Sequence, residues 1–171
     1  MKEKVKIETL PGYDGKTAYC GALRLLDKGD IDWISKWAAG NEGCLPGLDF
    51  FAADAFGVLY GVNEGGVVSI FWTETGCLED IGITRDEFFM LVCEDPNSTI
   101  NYSLYIEAVA KIGKPNHDQN FSLKVETALG GKMSVDNLYI CDKSIHMLQL
   151  GKIARQIKDY PVGTVFIDTD F

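Results

Sequence analysis

The sequence lacks most of the residues from which small proteins build metal sites and membrane segments. It contains two histidines, His117 and His146, and its five cysteines never form a CxxC pair, so a zinc site of the usual kind is not expected. No apolar run approaches the ~20 residues that cross a bilayer, and the N-terminal MKEKVKIETL has no apolar core of a signal peptide. These absences predict a cytoplasmic protein with no metal, no other cofactor and no membrane partner.

The cysteines also argue against a secreted, disulfide-stabilised protein. Their number is odd and they lie far apart in the sequence, whereas disulfide frameworks are even and dense. An unpaired cysteine behaves as a small apolar residue. We therefore expect reduced and mostly buried thiols at Cys20, Cys44, Cys77, Cys93 and Cys141.

Basic residues are scarce in the middle of the chain. Residues 41–95 contain eleven acidic residues and one basic residue, Arg85, which gives a net charge of −10 in a protein whose total is −9. This charge repels nucleic acid, because proteins that bind nucleic acid need a basic patch. The segment either attracts a basic partner and speeds the encounter, or forms a solvated face that keeps the protein soluble.

The length of 171 residues, with 46% hydrophobic and 24% charged content, is typical of one globular domain. Apolar residues at helical spacing predict a helix that begins with Asp30 as N-cap and stops at Gly40. Runs of aromatic and β-branched residues, separated by turns, predict antiparallel strands over 48–53, 58–63, 67–73 and 77–83.

Helical patterns dominate after this meander. Thr84 and Glu87 fit a capping box, which predicts a helix that ends before Pro96. The other predicted elements are a helix capped by Ser98 or Asn101 and ending near Gly113, extended chain over 121–129, a loop over 130–137, strands over 138–142 and 164–168, and a helix over 143–158 that bends near Gly151. Strands that cluster before helices indicate an α+β fold. We expect a single domain, 1–171, with a mostly antiparallel sheet of about five or six strands packed with helices.

Residues suited to catalysis are few. The stretch DFFAADAFG carries Asp49 and Asp54, and Glu79 and Asp80 are adjacent, but eleven acids within residues 41–95 create such pairs by chance. Cys141 precedes His146 by five residues without the signature of a Cys–His nucleophile. Glycine-rich phosphate motifs are also missing. The sequence therefore favours a binding protein over an enzyme.

Four stretches of the sequence follow the ordered motifs of a known family. They are FFAADAFGVLYGVNEGGVVSIFWTETG (50–76), ITRDEFFMLVCED (83–95), ALGGKMSVDNLYICD (128–142) and GKIARQIKDYPVGTVF (151–166). The matching positions are Asp54, Phe56, Gly57, Glu74, Gly76, Asp95, Gly130, Gly131, Asn137, Ile153, Gln156, Pro161 and Gly163. This ordered set resembles the SUKH superfamily, which includes yeast cell-wall-synthesis regulators and many bacterial immunity proteins. The resemblance covers residues 48–170, and residues 1–47 are outside it.

The resemblance implies a non-catalytic immunity protein that binds and neutralises a cognate toxin, often a nuclease, of a bacterial competition system. The alternative is a scaffold or regulatory module related to the cell-wall-synthesis regulators. The family has no catalytic site to transfer, so the shared positions are expected to be structural: Asp54, Phe56, Gly57, Gly76, Gly130, Gly131, Asn137, Gln156, Pro161 and Gly163.

A nuclease presents a basic surface to its polyanionic substrate, so an inhibitor gains from an acidic face. We predict that exposed acids of residues 41–95 contribute to such an interface, namely Glu64, Glu74, Glu79, Asp80 and Asp86. Each also has an ordinary explanation as a turn, cap or surface residue, and Asp86 lies where a helix N-terminus favours an acid. For DFFAADAFG, we expect Asp54 to hold a turn through backbone hydrogen bonds and Asp49 to face solvent.

Overall fold

A computed structural model, which describes residues 5–161, 163 and 164, contains a six-stranded antiparallel meander and a separate two-stranded hairpin. The strands of the meander are β1 (Thr17–Ala18), β2 (Leu23–Leu25), β3 (Asp49–Asp54), β4 (Leu59–Val62), β5 (Val68–Trp72) and β6 (Cys77–Asp80). The hairpin consists of β7 (Gln119–Leu123) and β8 (Leu138–Asp142). The α-helices are α1 (Ile31–Asn41), α2 (Arg85–Glu94), α3 (Pro96–Ile100), α4 (Tyr102–Ile112) and α5 (Lys143–Ile157). The α+β prediction is confirmed.

Two apolar clusters cover opposite faces of the meander. Successive strand residues point to opposite faces, and in β4 Leu59 packs with α1 and α5 whereas Tyr60 packs with α2, α3 and α4. Burial on both sides explains why these strands read as continuous apolar runs rather than as an alternation. None of the helices in the described residues combines the length and apolar content that a membrane span requires.

Two glycines allow α1 and α5 to cross in close contact. A methyl group at Gly40 would lie 2.2 Å from the carbonyl oxygen of Leu148, and one at Gly151 would lie 2.1 Å from the carbonyl oxygen of Trp37. The predicted helix stop at Gly40 is therefore one residue early, and Gly151, where a bend was predicted, lies within the continuous helix α5. Helix α1 continues to Asn41, and α5 runs unbroken from Lys143 to Ile157.

Other sequence predictions also need correction. The N-cap side chain of Asp30 makes no capping bond and instead accepts a hydrogen bond from Trp33 Nε1 at 2.6 Å. The extended segment predicted over 121–129 ends at Leu123, and Thr127–Leu129 is a short 3-10 helix. The strand predicted over 164–168 lies, apart from Thr164, outside the described residues.

The prediction of mostly buried cysteines is wrong. Cys20, Cys44, Cys77 and Cys93 are exposed, Cys141 is half-buried, and all five are free thiols. Their positions explain the exposure. Cys20 and Cys44 lie in irregular segments, Cys77 begins the last strand of the sheet, and Cys93 lies near the end of α2.

Candidate functional site

The two aspartates of DFFAADAFG lie at opposite ends of β3, so they do not form a catalytic pair. Asp49 is exposed, whereas Asp54 is buried and its Oδ1 accepts hydrogen bonds from the backbone N–H groups of Phe56 (2.9 Å) and Val58 (3.0 Å). Gly57 completes this turn with φ 92°, in the left-handed region. Burial raises the pKa of Asp54 to about 7.

The histidines do not form a nucleophilic or metal site. His146 is buried, its Nδ1 lies 3.4 Å from Asn120 Nδ2, and burial lowers its pKa to about 4. No hydrogen bond joins His146 to Cys141 in the described part of the chain. His117 is exposed and contacts the carboxylate of Asp118. Within residues 5–161, 163 and 164, no group of three or more His, Cys, Asp and Glu could hold a metal ion.

Three of the predicted partner-facing acids lie on or beside the last strand of the sheet, with Glu79 and Asp80 on its opposite faces. Strand β6 is the last strand, and all four of its residues are exposed. Asp80 Oδ1 accepts a hydrogen bond from Ser69 Oγ and lies 3.4 Å from Asn63 Nδ2. Because Glu64 follows Asn63 in the exposed turn between β4 and β5, it lies beside the end of β6. We call Glu64, Glu79 and Asp80 the acidic edge.

Two apolar side chains flank the acidic edge and were missed as candidates in the sequence. Trp72 is 40% exposed and its Nε1 donates a hydrogen bond to Glu79 Oε2 at 2.9 Å. Leu78 pairs with the buried Phe71 but is itself 50% exposed. Their exposure follows from the position of β6 at the sheet's edge.

Asp86 and Glu74 lie apart from the acidic edge. Asp86 is half-buried in the first turn of α2, beside the predicted capping box of Thr84 and Glu87, which is present. Glu74 is half-buried, and its carboxylate accepts hydrogen bonds from Thr127 Oγ1 (2.8 Å) and from the backbone N–H of Ala128. It therefore ties the β5–β6 turn to the 3-10 helix Thr127–Leu129.

A second carboxyl, that of Glu126, lies close to Glu74. Glu126 is 8% exposed, and its burial, together with the negative charge of Glu74, raises its pKa to about 8. Both residues line a cavity of about 250 Å³, which is below the roughly 300–1,000 Å³ of most ligand pockets. Burial and the nearby charge of Glu74 thus favour the neutral form of Glu126 near pH 7.

This pair should make folding stability depend on pH. The pKa of Glu126 is higher in the folded protein than its ordinary value of 4.5, so the folded state binds more protons between these limits and stability falls as pH rises from about 5 to 8. Asp54 acts in the same direction. Glu126→Gln keeps the size of the side chain without a charge, so its melting temperature should exceed that of the wild type at pH 8 by a few degrees and converge with it near pH 5.

Thermal melts between about pH 5 and pH 8 measure this effect. Glu107→Gln, which removes an exposed carboxylate from α4, is the matched control and should follow the wild-type curve. Parallel curves for Glu126→Gln and the wild type would show that Glu126 has an ordinary pKa in the folded protein.

The remaining positions of the family pattern fall into turns and loops. Asn137 holds the 125–137 loop: its Oδ1 accepts a hydrogen bond from the N–H of Val125, and its Nδ2 donates to the carbonyl oxygens of Val125 (2.7 Å) and Lys132 (3.0 Å). In the same loop, a methyl group at Gly131 would lie 1.7 Å from the carbonyl oxygen of Val125. These contacts make the loop a compact unit.

The other positions have the following environments. Phe56 stacks on Phe121 with 5.9 Å between ring centroids, and Gly76 lies against Trp37. Gly130 and Gly163 have φ near 90°, whereas Gln156 and Pro161 are exposed. The environment of Gln156 gives no structural reason for its identity.

Comparison with known proteins places part of this chain near an immunity-protein family. Residues 84–154, from the start of α2 into α5, match the sequence model of "T6SS immunity protein Tdi1, C-terminal". The match includes 71 of the 171 residues. The family named is one of immunity proteins, as the SUKH resemblance implied. The match does not name SUKH, so SUKH membership and the division at residue 47 stay predictions.

Solved structures support the fold. The chain resembles Atu4351 from Agrobacterium tumefaciens with a TM-score of 0.52 and 16% sequence identity, over 77% of this chain and 67% of that chain. An identity this low establishes similarity of fold alone. A search of curated proteins found no match.

Proposed function

We propose that this chain is a non-catalytic immunity protein that binds and neutralises a cognate toxin of a bacterial competition system. The observation that carries the proposal is the match of residues 84–154 to the C-terminal region of a T6SS immunity protein. An immunity protein acts by occupying its toxin, so it needs a binding surface and no reactive centre. In this proposal the protein meets the toxin in the cytoplasm of the cell that makes both.

The acidic edge is the proposed contact surface. Glu64, Glu79 and Asp80 gather negative charge where β6 exposes its outer backbone groups, and Trp72 and Leu78 add exposed apolar area beside them. Interfaces commonly combine a few aromatic or aliphatic anchors with a charged rim. This combination suits a toxin with a basic surface, and a nuclease has such a surface because it binds polyanionic DNA or RNA.

The test of the function is protection from a toxin. The product of the neighbouring gene is expressed in a sensitive host with and without this chain, and the two purified proteins are tested for a stable complex. The proposal expects rescue of growth together with complex formation. If neither occurs with any neighbouring gene product, and pull-downs from the native host recover only components of cell-wall synthesis, the scaffold alternative is supported instead.

The acidic edge makes a prediction about binding kinetics. The triple variant Glu64→Gln, Glu79→Gln, Asp80→Asn should associate with the toxin about tenfold more slowly at low salt, because electrostatic steering acts mainly on the association rate. The salt dependence of that rate should also become flatter. Stopped-flow or surface-based kinetics at several salt concentrations measure both effects.

The control carries the same charge change elsewhere. Glu8→Gln, Glu107→Gln, Asp159→Asn replaces three exposed acids outside the acidic edge and should leave the low-salt rate within about twofold of the wild type. Equal slowing in the two triple variants would assign the effect to net charge alone and remove the acidic edge from the interface.

A further inference from the structure

A second concave surface is formed by segments that are far apart in the sequence. A cleft of about 760 Å³ opens where residues 14–17, β2, the start of α1 and residues 114–119 meet. Its volume is in the range of small-molecule sites, roughly 300–1,000 Å³. None of the acidic-edge residues lines it.

Two sequestered cations lie in this cleft. The Arg24 guanidinium donates hydrogen bonds to Asn120 Oδ1 (3.3 Å) and to the carbonyl oxygen of Gln119 (3.2 Å). Within the residues that the structure describes, no carboxylate lies within 4 Å of it. Lys143 is 7% exposed, and its Nζ lies 3.3 Å from the carbonyl oxygen of His117 and 3.6 Å from Asp118 Oδ1.

Lys143 is paired with the exposed Asp118, but Arg24 has no carboxylate of the described chain close enough for an ion pair, and its position is costly for that reason. Removing a charged group from water is unfavourable unless the charge is paired, and arginine at such positions usually binds a carboxylate or phosphate. Burial lowers the pKa of Arg24 for the same reason. A guanidinium has five N–H donors, and the two neutral oxygens described above leave several of them for a ligand.

The acids that line the cleft form no ion pair within 4 Å with either cation among the described residues, although Asp30 and, from beside the cleft, Asp118 act on Arg24 at longer range. Asp14 accepts hydrogen bonds from the N–H groups of Lys16 (3.0 Å) and Thr17 (2.7 Å), and Asp27 accepts one from Gly29 (2.7 Å). Asp30 and Asp54 are held by Trp33 Nε1 and by the turn after β3. Each of these carboxylates is thus bound to N–H groups of its own neighbourhood rather than directly to Arg24 or Lys143.

The walls of the cleft are preformed. The buried ring of Trp33 has Arg24 Cζ 5.6 Å and Lys143 Nζ 5.4 Å from its centroid. Tyr19, Cys20 and Gly21 have consecutive positive φ values of 52°, 58° and 106°, a strained backbone of the kind that persists where the surrounding structure fixes it. A methyl group at Gly21 would lie 2.7 Å from Tyr105 Oη and 3.2 Å from Lys114 Cε, so glycine keeps this wall open.

We propose that this cleft binds a small organic oxyanion, with its phosphate or carboxylate group between Arg24 and Lys143 and with Lys16 and Lys114 at the exposed rim. The planar guanidinium offers paired donors to two oxygens of such a group, and the ammonium adds a point charge. The site is separate from the acidic edge, and the proposal does not depend on the immunity function.

Isothermal titration and thermal melts at low salt test the proposal with four probes. Inorganic phosphate, adenosine monophosphate and citrate carry the oxyanion, and adenosine is the neutral control. At least one of the three anions should bind with a Kd below about 1 mM, and adenosine should not. Binding of phosphate and adenosine monophosphate without citrate identifies a phosphate ligand, and the reverse identifies a carboxylate.

Variants locate the binding. Arg24→Gln should weaken the anion at least about tenfold, and the rim double variant Lys16→Gln, Lys114→Gln about three- to tenfold. The rim residues are exposed, so the double variant remains informative if Arg24→Gln does not fold. Lys36→Gln, Lys152→Gln removes the same charge from exposed positions outside the cleft and should bind like the wild type. No anion binding below about 10 mM, or equal affinity in all variants, overturns the proposal.

Discussion

Gly151→Ala is expected to lower the free energy of unfolding by about 2 kcal/mol or more, although alanine normally stabilises a helix interior by roughly 1 kcal/mol over glycine. The added methyl group would lie 2.1 Å from the carbonyl oxygen of Trp37 and 2.9 Å from the backbone nitrogen of Asn41. Both are backbone atoms, so no side-chain rotation relieves the contact, and α1 and α5 must move apart. The melting temperature should fall by roughly 4–8 °C.

Thermal and denaturant unfolding measure this loss. Gln149→Ala, on the exposed side of the same helix, is the control and should stay within about 0.5 kcal/mol of the wild type. Gly40→Ala meets the carbonyl oxygen of Leu148 from the opposite helix and should behave like Gly151→Ala. A stabilised Gly151→Ala protein would mean that the two helices do not pack in this way.

Asp54→Ala should also lower the free energy of unfolding, by about 2–4 kcal/mol. It removes the oxygen that accepts hydrogen bonds from the N–H groups of Phe56 and Val58 and leaves two part-buried donors without a partner. Asp54→Asn keeps that acceptor and cannot ionise. Because the pKa of Asp54 is raised to about 7 from an ordinary value of 3.8, the wild type loses stability as pH rises between these values, and the asparagine variant does not.

The comparison of the two variants across pH separates the roles of the oxygen and the charge. Asp54→Asn should melt near the wild type at about pH 4 and above it at about pH 8, whereas Asp54→Ala should be destabilised at both. Asp49→Ala, at the exposed start of the same strand, is the control with little expected change. If Asp54→Ala melts like the wild type, the turn is held by other contacts.

Local chemistry made a large part of the fold predictable. Thr84 and Glu87 cap α2 reciprocally because they are three residues apart, and a capping box needs no information from the rest of the chain. Asn63 and Gly66 likewise form the β4–β5 turn, with Asn63 Oδ1 accepting from the N–H of Gly65 and Gly66 at φ 77°. The turn of Asp54 belongs to the same class of short-range signals.

The rest depends on residues that meet from distant segments. A glycine that follows an apolar helical pattern usually marks a helix stop, but Gly40 is the last-but-one residue of α1. Its role is the close contact with Leu148, which lies more than a hundred residues away in the sequence. Glu74 was predicted to face a partner, and its hydrogen bonds with Thr127 and Ala128 cannot be read from its neighbours in sequence. Arg24 in the cleft is hydrogen-bonded to Asn120, which is 96 positions away in the sequence, so no local motif predicts the cleft.

The packing of α5 on α1 also affects how the chain folds as the ribosome makes it. The face of the sheet that carries Leu59 and Phe71 is covered by α1 and by Met147, Leu150 and Ala154 of α5. Synthesis proceeds from the N-terminus, and domains complete their folding only when their last packing element has emerged. Until α5 leaves the ribosomal tunnel, the part of this apolar face that Met147, Leu150 and Ala154 cover is exposed, with only α1 packed beside it.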